Sequence, residues 1–207
     1  MKLTLSYTEV INGELNFSPI NLMMAFQVNC PGCFMHGFPM LKELQTHYGN
    51  KLSCIALSTA FEDFHVNTEE NAKLLVNTGE LVGETLRAQE AHHLNWDKTT
   101  LSVPVVIDEV VNQSELQQPK FVENIIQNML DPTTTPALEQ ENMRASLYNY
   151  FSQLPQCGKT FAANLMRGTP SFFLLTDSME ILMQWFGHAD SRLIRNKLDI
   201  FIDKKHG

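Results

Sequence analysis

Ile20-Asn21-Leu22-Met23-Met24-Ala25-Phe26-Gln27-Val28-Asn29-Cys30-Pro31-Gly32-Cys33 is the stretch that decides the fold. Residues 20–28 are almost continuously apolar, the composition of a strand buried on both faces of a sheet. Beyond the two cysteines, Phe34, Phe38, Leu41, Leu44 and Tyr48 recur at helical spacing. An amphipathic helix is therefore predicted over residues 33–48, kinked at Pro39 and ended by Gly49-Asn50. The cysteine pair then lies between a buried strand and the first turn of a helix, where unpaired N–H groups and the helix dipole favour an anion. A thiolate is such an anion, and it is the attacking species in thiol–disulfide exchange. Cysteines so placed titrate at about 3.5–7.5, against about 8.5 for a free thiol. Cys30 is expected to be the exposed nucleophile and Cys33, one turn in, the resolving thiol. Pro31 and Gly32 form the active-site loop between them and leave the sulfur approachable. The same spacing also fits half a zinc site or an inert pair. Structural zinc needs four ligands, and neither Cys54 with Cys157 nor His36 alone completes such a set, so no metal is expected.

Outward from this stretch, Lys2 to Ile11 alternates like a strand, and Asn12-Gly13 reads as a hairpin turn. Leu52 to Thr59 reads as a second buried strand holding Cys54 as a small hydrophobe. Thr68 is placed to cap a helix with Glu69 and Glu70 in its first turn. Residues 79–100 read as partly helical, and Val103 to Ile107 as a third core strand. From Asp108 to Arg167 the reading is helical and uneven: helices at Phe121 to Leu130, Leu138 to Leu154 and Thr160 to Arg167, a loop at Asp131 to Pro136, and Cys157 on a loop. Ser171 to Leu175 and Glu180 to Gly187 form a hairpin around Asp177-Ser178. Asp190 caps a last helix with Leu193, Ile194, Leu198 and Phe201 on one face. Trp96 and Trp185 read as packing anchors, and the adjacent His92 and His93 point apart on a helix and share no site. No flexible linker divides the chain, so residues 1–207 are expected to form one domain, with 79–100 and 109–165 as insertions.

Two motifs together carry a resemblance. Met24-Ala25-Phe26-Gln27-Val28-Asn29-Cys30-Pro31-Gly32-Cys33 is followed by Phe38-Pro39, then Val105-Val106-Ile107-Asp108, then Gly168-Thr169-Pro170-Ser171-Phe172-Phe173-Leu174, then Gly187. In order and context these resemble the thioredoxin superfamily, especially the TlpA/ResA-like redoxins. The resemblance implies an α/β chain with a thioredoxin fold. Its central mixed sheet would be flanked by helices, with helical insertions before and after the third core strand. It also implies a cis Pro170 beside the cysteine pair, and a Thr169 backbone that bonds an extended substrate like a strand. Three departures stand out. The acid that thioredoxins bury before the first cysteine is Met24 here, so Glu62, Asp63 and His36 become the candidates to take the Cys33 proton. Pro39 lies one residue later than in the family, which predicts an irregular first turn. The tryptophan that precedes the first cysteine is Asn29.

Composition bounds the function. The net charge is −8, with 23 acidic residues against 15 Lys and Arg, and general nucleic-acid binders show the opposite balance. No apolar run is long enough to span a bilayer. Met1 through Asn16 holds no continuous apolar segment or small-residue cleavage site, so a cytoplasmic protein is expected, or a periplasmic one only if a longer precursor was trimmed. Four cysteines are too few for a disulfide scaffold in 207 residues. The leading expectation is an oxidoreductase that reduces protein disulfides, or alternatively forms them, through a mixed disulfide at Cys30, with a disulfide-containing protein or a small thiol as its substrate partner. It would draw on an unidentified electron donor and need no cofactor, because the sulfur pair carries two electrons unaided. A peroxiredoxin-type peroxidase shares this fold, but that chemistry places a threonine where Gln27 stands. A non-catalytic binding module, with 109–165 as its partner surface, is the third alternative.

Overall fold

The computed structural model describes residues 1–131 and 133–206; Pro132, inside the loop read at 131–136, lies outside them. Strand β1 (Tyr7–Asn12) is followed by β2 (Ile20–Phe26), every residue of which is buried. After the cysteine turn the chain makes one π-helical turn, Cys33–Gly37, and then α1 (Phe38–Tyr48). The predicted helix is thus two pieces. Pro39 does not kink its middle but opens α1 in the first turn, where a missing N–H costs little. Gly37 belongs to the irregular turn for a steric reason: a Cβ there would stand 2.5 Å from Met24 Sδ.

Strand β3 (Ser53–Ser58) leads to α2 (Glu69–Thr78), whose first turn is closed by Thr68 accepting the Asn71 N–H at 3.2 Å. Helix α3 (Gly83–Glu90) and β4 (Val105–Asp108) follow. Next come β5 (Val110–Asn112), α4 (Gln113–Leu116), α5 (Pro119–Met129), α6 (Ala137–Phe151), β6 (Gln156–Gly158) and α7 (Lys159–Ala163). The chain ends in β7 (Ser171–Thr176), β8 (Ile181–Phe186) and α8 (Ser191–His206). No helix among the described residues is long and apolar enough to cross a membrane.

Six strands form a mixed sheet in the order β1-β4-β3-β2-β7-β8. The pairs β2–β3 and β3–β4 are parallel, while β1–β4, β2–β7 and β7–β8 are antiparallel. Strand β2 is central, as its unbroken apolar run requires. Its alternate residues feed two cores. Leu22, Met24 and Phe26 face α1, α2 and α8 through Phe34, Phe38, Leu41, Leu75 and Leu198. Met23 and Ala25 face the other side, where Val122, Ile125, Leu147, Phe151 and Phe161 cover the sheet. Full burial of each such large side chain is worth about 1.5–3 kcal/mol, so the helices of residues 109–165 supply one of the two cores.

The structure corrects four expectations. Asn12-Gly13 does not turn a hairpin, because both edges of β2 are occupied by β3 and β7, and β1 pairs with β4 instead. Residues 2–6 are not strand, apart from a single bridge from Lys2 to Glu180. Their amides are satisfied by side chains of the later segment: Asn128 accepts from Lys2, Asn164 from Thr4 and Thr160 from Ser6. Cys157 is not on a loop but buried in β6, paired with Val111 of β5. Leu193 is 65% exposed, and the buried face of α8 runs through Ile194, Leu198 and Ile202.

Both tryptophans pack against rings. Trp96 meets Phe34 edge-on at 4.8 Å and donates its Nε1–H to Gly79 O, and Trp185 stacks on Phe172 at 4.8 Å. His92 and His93 are exposed after α3, and among the described residues no group of three or more His, Cys, Asp or Glu could hold a metal.

Candidate active site

The cysteine turn connects the end of β2 to the π-helical turn. The Cys30 N–H donates to Gln27 O at 3.2 Å, and the Cys33 N–H donates to Cys30 O at 3.0 Å. That same N–H also reaches Cys30 Sγ at 3.3 Å, so a helix-start donor is aimed at the sulfur. Both cysteines are free thiols, Cys30 partly exposed and Cys33 fully buried.

Facing them is the segment before β7. The Thr169–Pro170 peptide bond is cis, and Pro170 is buried. The Thr169 carbonyl accepts the Cys30 thiol proton at 3.5 Å. A Cβ on Gly168 would lie 2.7 Å from the Phe186 ring, so the bare backbone there lets β8 close against this segment. The structure therefore brings Cys30, Cys33, Thr169 and Pro170 together, with Pro31 and Gly32 half-buried between the sulfurs.

The two thiols are driven apart in acidity. Cys30 is lowered to about 7, chiefly by the hydrogen bond from the Cys33 side chain, with further donors from Thr169 and from the Cys33 and Gly32 backbone outweighing burial. Cys33 is raised well above the ordinary thiol value, first by burial and then by Cys30. Burial pushes Cys54 up to about 12, and burial with the charge of Asp108 does the same to Cys157. Of the four thiols, Cys30 alone is substantially thiolate near neutral pH.

The residue before Cys30 is pinned from two sides. The Asn29 side chain donates to Asp63 Oδ2 at 2.8 Å and accepts the Glu84 N–H at 2.6 Å, while its own N–H donates to Asn67 Oδ1 at 3.0 Å. Thr85 adds a hydroxyl bond to Val28 O at 2.7 Å. Gly83 is required there, with φ of +56° and no space for a Cβ, which would stand 2.1 Å from Asn29 Oδ1. Residues 79–100 thus back the cysteine turn through the start of α3.

None of the three candidate proton acceptors hydrogen-bonds to a sulfur. Asp63 is engaged by Asn29, Glu62 is exposed, and His36 is exposed with its ring 4.7 Å from that of His188. The sequence reading sets Gln27 against a peroxidase but gives it no place in the site. It is 2% exposed; its Oε1 accepts the Thr169 hydroxyl at 3.3 Å and its Nε2 donates to Glu62 O at 3.3 Å. An amide closing an otherwise apolar strand was the available signal, since a buried amide demands partners.

No family model matches the sequence, and no curated protein does. Solved structures do match in shape. A thiol–disulfide isomerase from Corynebacterium glutamicum superposes with a TM-score of 0.57 at 20% identity, over 98% of this chain and 96% of its own. A thioredoxin-like superfamily protein gives 0.58 at 20% identity, with the same coverage. This is a thioredoxin fold. Within the thioredoxin fold, the added helical segments before and after β4 have separate tasks: α3 backs the cysteine turn, and α4 to α7 cover the far face of the sheet.

Proposed function

We propose that the protein is a thiol–disulfide oxidoreductase that reduces disulfides through a mixed disulfide at Cys30, resolved by Cys33. The observation that carries this reading is the Cys33 N–H aimed at Cys30 Sγ at 3.3 Å, in a pair whose thiols are free and unequal in acidity. In the first step the Cys30 thiolate attacks one sulfur of a substrate disulfide. The substrate S–S bond breaks, and the departing sulfur takes the electron pair and then a proton. In the second step Cys33 loses its proton and attacks Cys30 Sγ. The mixed disulfide breaks, the second substrate sulfur leaves as a thiol, and Cys30–Cys33 becomes the disulfide. A dithiol or equivalent two-electron donor then restores the pair.

The substrate class is a disulfide in an extended polypeptide or a small molecule. Once Cys30 is in mixed disulfide, its S–H no longer bonds the Thr169 carbonyl, which becomes available to a substrate N–H. The reducing direction is part of the proposal and holds in a compartment that keeps a close cysteine pair as dithiol. Cys33→Ser should accumulate a covalent complex with a disulfide-bonded protein substrate. That complex should be stable to gel electrophoresis without reductant and released by dithiothreitol. No adduct at Cys30 under those conditions would overturn the proposal.

A further inference from the structure

The segment that leads into Thr169 carries a cation with no partner. Arg87, Arg144, Arg192 and Arg195 each pair with a carboxylate. Arg167, two residues before Thr169, is exposed, and its guanidinium makes no hydrogen bond or ion pair among the described residues. It lines a cavity of about 230 Å³ together with Asn164, Ser171, Phe173, Gln184 and Phe186. Among the described residues no carboxylate lines this cavity, although the chain carries a net charge of −8. Two of its polar side chains are already committed. Asn164 exchanges bonds with Thr4 and donates to Thr160 O, and Ser171 donates to Gly168 O at 2.6 Å. Arg167 and the exposed Gln184 are left to meet a ligand.

The approach to Arg167 is held in place. Leu165 has φ of +48°, which a branched side chain rarely adopts, and its N–H donates to Ala162 O at 3.1 Å while the Met166 N–H donates to Phe161 O at 3.1 Å. From Arg167 to Thr169 the chain spans at most about 7 Å. The Thr169 carbonyl lies 3.5 Å from Cys30 Sγ, so the cavity is within reach of a group attached near the sulfur that Cys30 attacks. We infer that Arg167 reads a carboxylate on the substrate, and that the disulfides this site favours carry an acidic group about two residues from the attacked sulfur. The inference rests on the oxidoreductase reading and names its substrate class. A guanidinium presents paired N–H groups that match the two oxygens of a carboxylate, and the Gln184 amide offers a further donor. The Phe186 ring, 53% exposed and packed over Gly168, gives an apolar wall for the stem that carries the acid. An Asp or Glu side chain of an extended polypeptide and a carboxylate on a small disulfide both supply this chemistry.

Two substrate pairs test this with the reduced protein, by the rate at which substrate thiol is released. Dithiobis(nitrobenzoate) carries carboxylates and dithiodipyridine carries none. A disulfide-linked peptide with Glu two residues from its cysteine is compared with the same peptide carrying Gln. The quantity read is the ratio of rate constants, acidic over neutral, in each pair. Arg167→Gln should lower that ratio about fivefold or more, the upper scale of an exposed ion pair, and Arg167→Glu should lower it further. The difference between parent and variant should shrink as salt is raised, because screening weakens an exposed contact. A fall in the small-molecule pair alone assigns the carboxylate to a small disulfide, and a fall in the peptide pair assigns it to a polypeptide. Ratios that Arg167→Gln leaves at the parental value in both pairs would overturn the inference, including the case where acidic and neutral substrates slow equally, which marks a structural role. Failure of the parent protein to release thiol from any of the four substrates would instead defeat the oxidoreductase reading itself.

Discussion

Cys30→Ser is expected to lower disulfide turnover at least about a thousandfold, to the uncatalysed background. Cys30 alone combines partial exposure with an acidity lowered to about 7, and a serine hydroxyl is not ionised at neutral pH and cannot form the mixed disulfide. Cys33→Ser should abolish multiple turnover as well, but by a different route, because the first attack still occurs and the protein is left bonded to its substrate. The two cysteines act as one unit, so the double variant should be no slower than Cys30→Ser. Steady-state assays of the three variants with a reductant in excess check this. Additive losses, or a Cys30→Ser protein retaining more than about a hundredth of the parental rate, would mean another thiol does the chemistry. Cys54 and Cys157 are poor substitutes, since burial holds both near 12.

Asp108→Ala is expected to produce the largest loss of stability, about 3 kcal/mol, because it strips three buried donors at once. Asp108 ends β4 and accepts from Thr59 Oγ1 at 2.7 Å, from the Thr160 N–H at 2.8 Å and from the Phe161 N–H at 3.2 Å. Thr160 in turn exchanges bonds with Ser6 at 2.8 and 2.7 Å. One carboxylate therefore ties the central sheet to α7, and through it to the N-terminal arm. The space is closed: a Cβ on Gly158 would lie 2.3 Å from Asp108 Oδ2. Burial raises Asp108 to about 6 despite these donors. A folded value above the unfolded one, about 3.9, means that the folded state holds the proton more tightly. This contribution is fully present below about pH 4 and is lost as pH rises through about 6, a change on the order of 3 kcal/mol. The stability margin of the parent over Asp108→Asn should accordingly shrink from pH 4 to pH 6 in urea titrations. A margin that stays flat, or that widens with pH, would contradict the buried, proton-binding carboxylate.

The parts of the fold legible in the sequence were those fixed by local pattern. The apolar run of β2, the cysteine turn, the Thr68 cap and the β7–β8 hairpin each declare themselves within a few residues. What escaped depends on distant partners. β1 carries a turn signal at Asn12-Gly13, yet its partner is β4, because β3 and β7 already occupy both edges of β2. The strands β5 and β6 are three residues each, too short for an alternating pattern to emerge, so Cys157 read as a loop residue. In the site, Cys30, Cys33, Thr169 and Pro170 were named from motif and context. Gln27 was given no place there, because its partner, the Thr169 hydroxyl, lies far along the chain. The fold turns the three candidates for the Cys33 proton, Glu62, Asp63 and His36, to Asn29 or to solvent, which no local pattern reveals.

The pH dependence of iodoacetamide alkylation, followed by peptide mass analysis, reads the central claim at each sulfur separately. Modification of Cys30 alone, half-maximal near pH 7, is the predicted result, with Cys33 silent until the protein unfolds. A midpoint near that of a free thiol, about 8.5, or Cys33 reacting ahead of Cys30, would contradict the account.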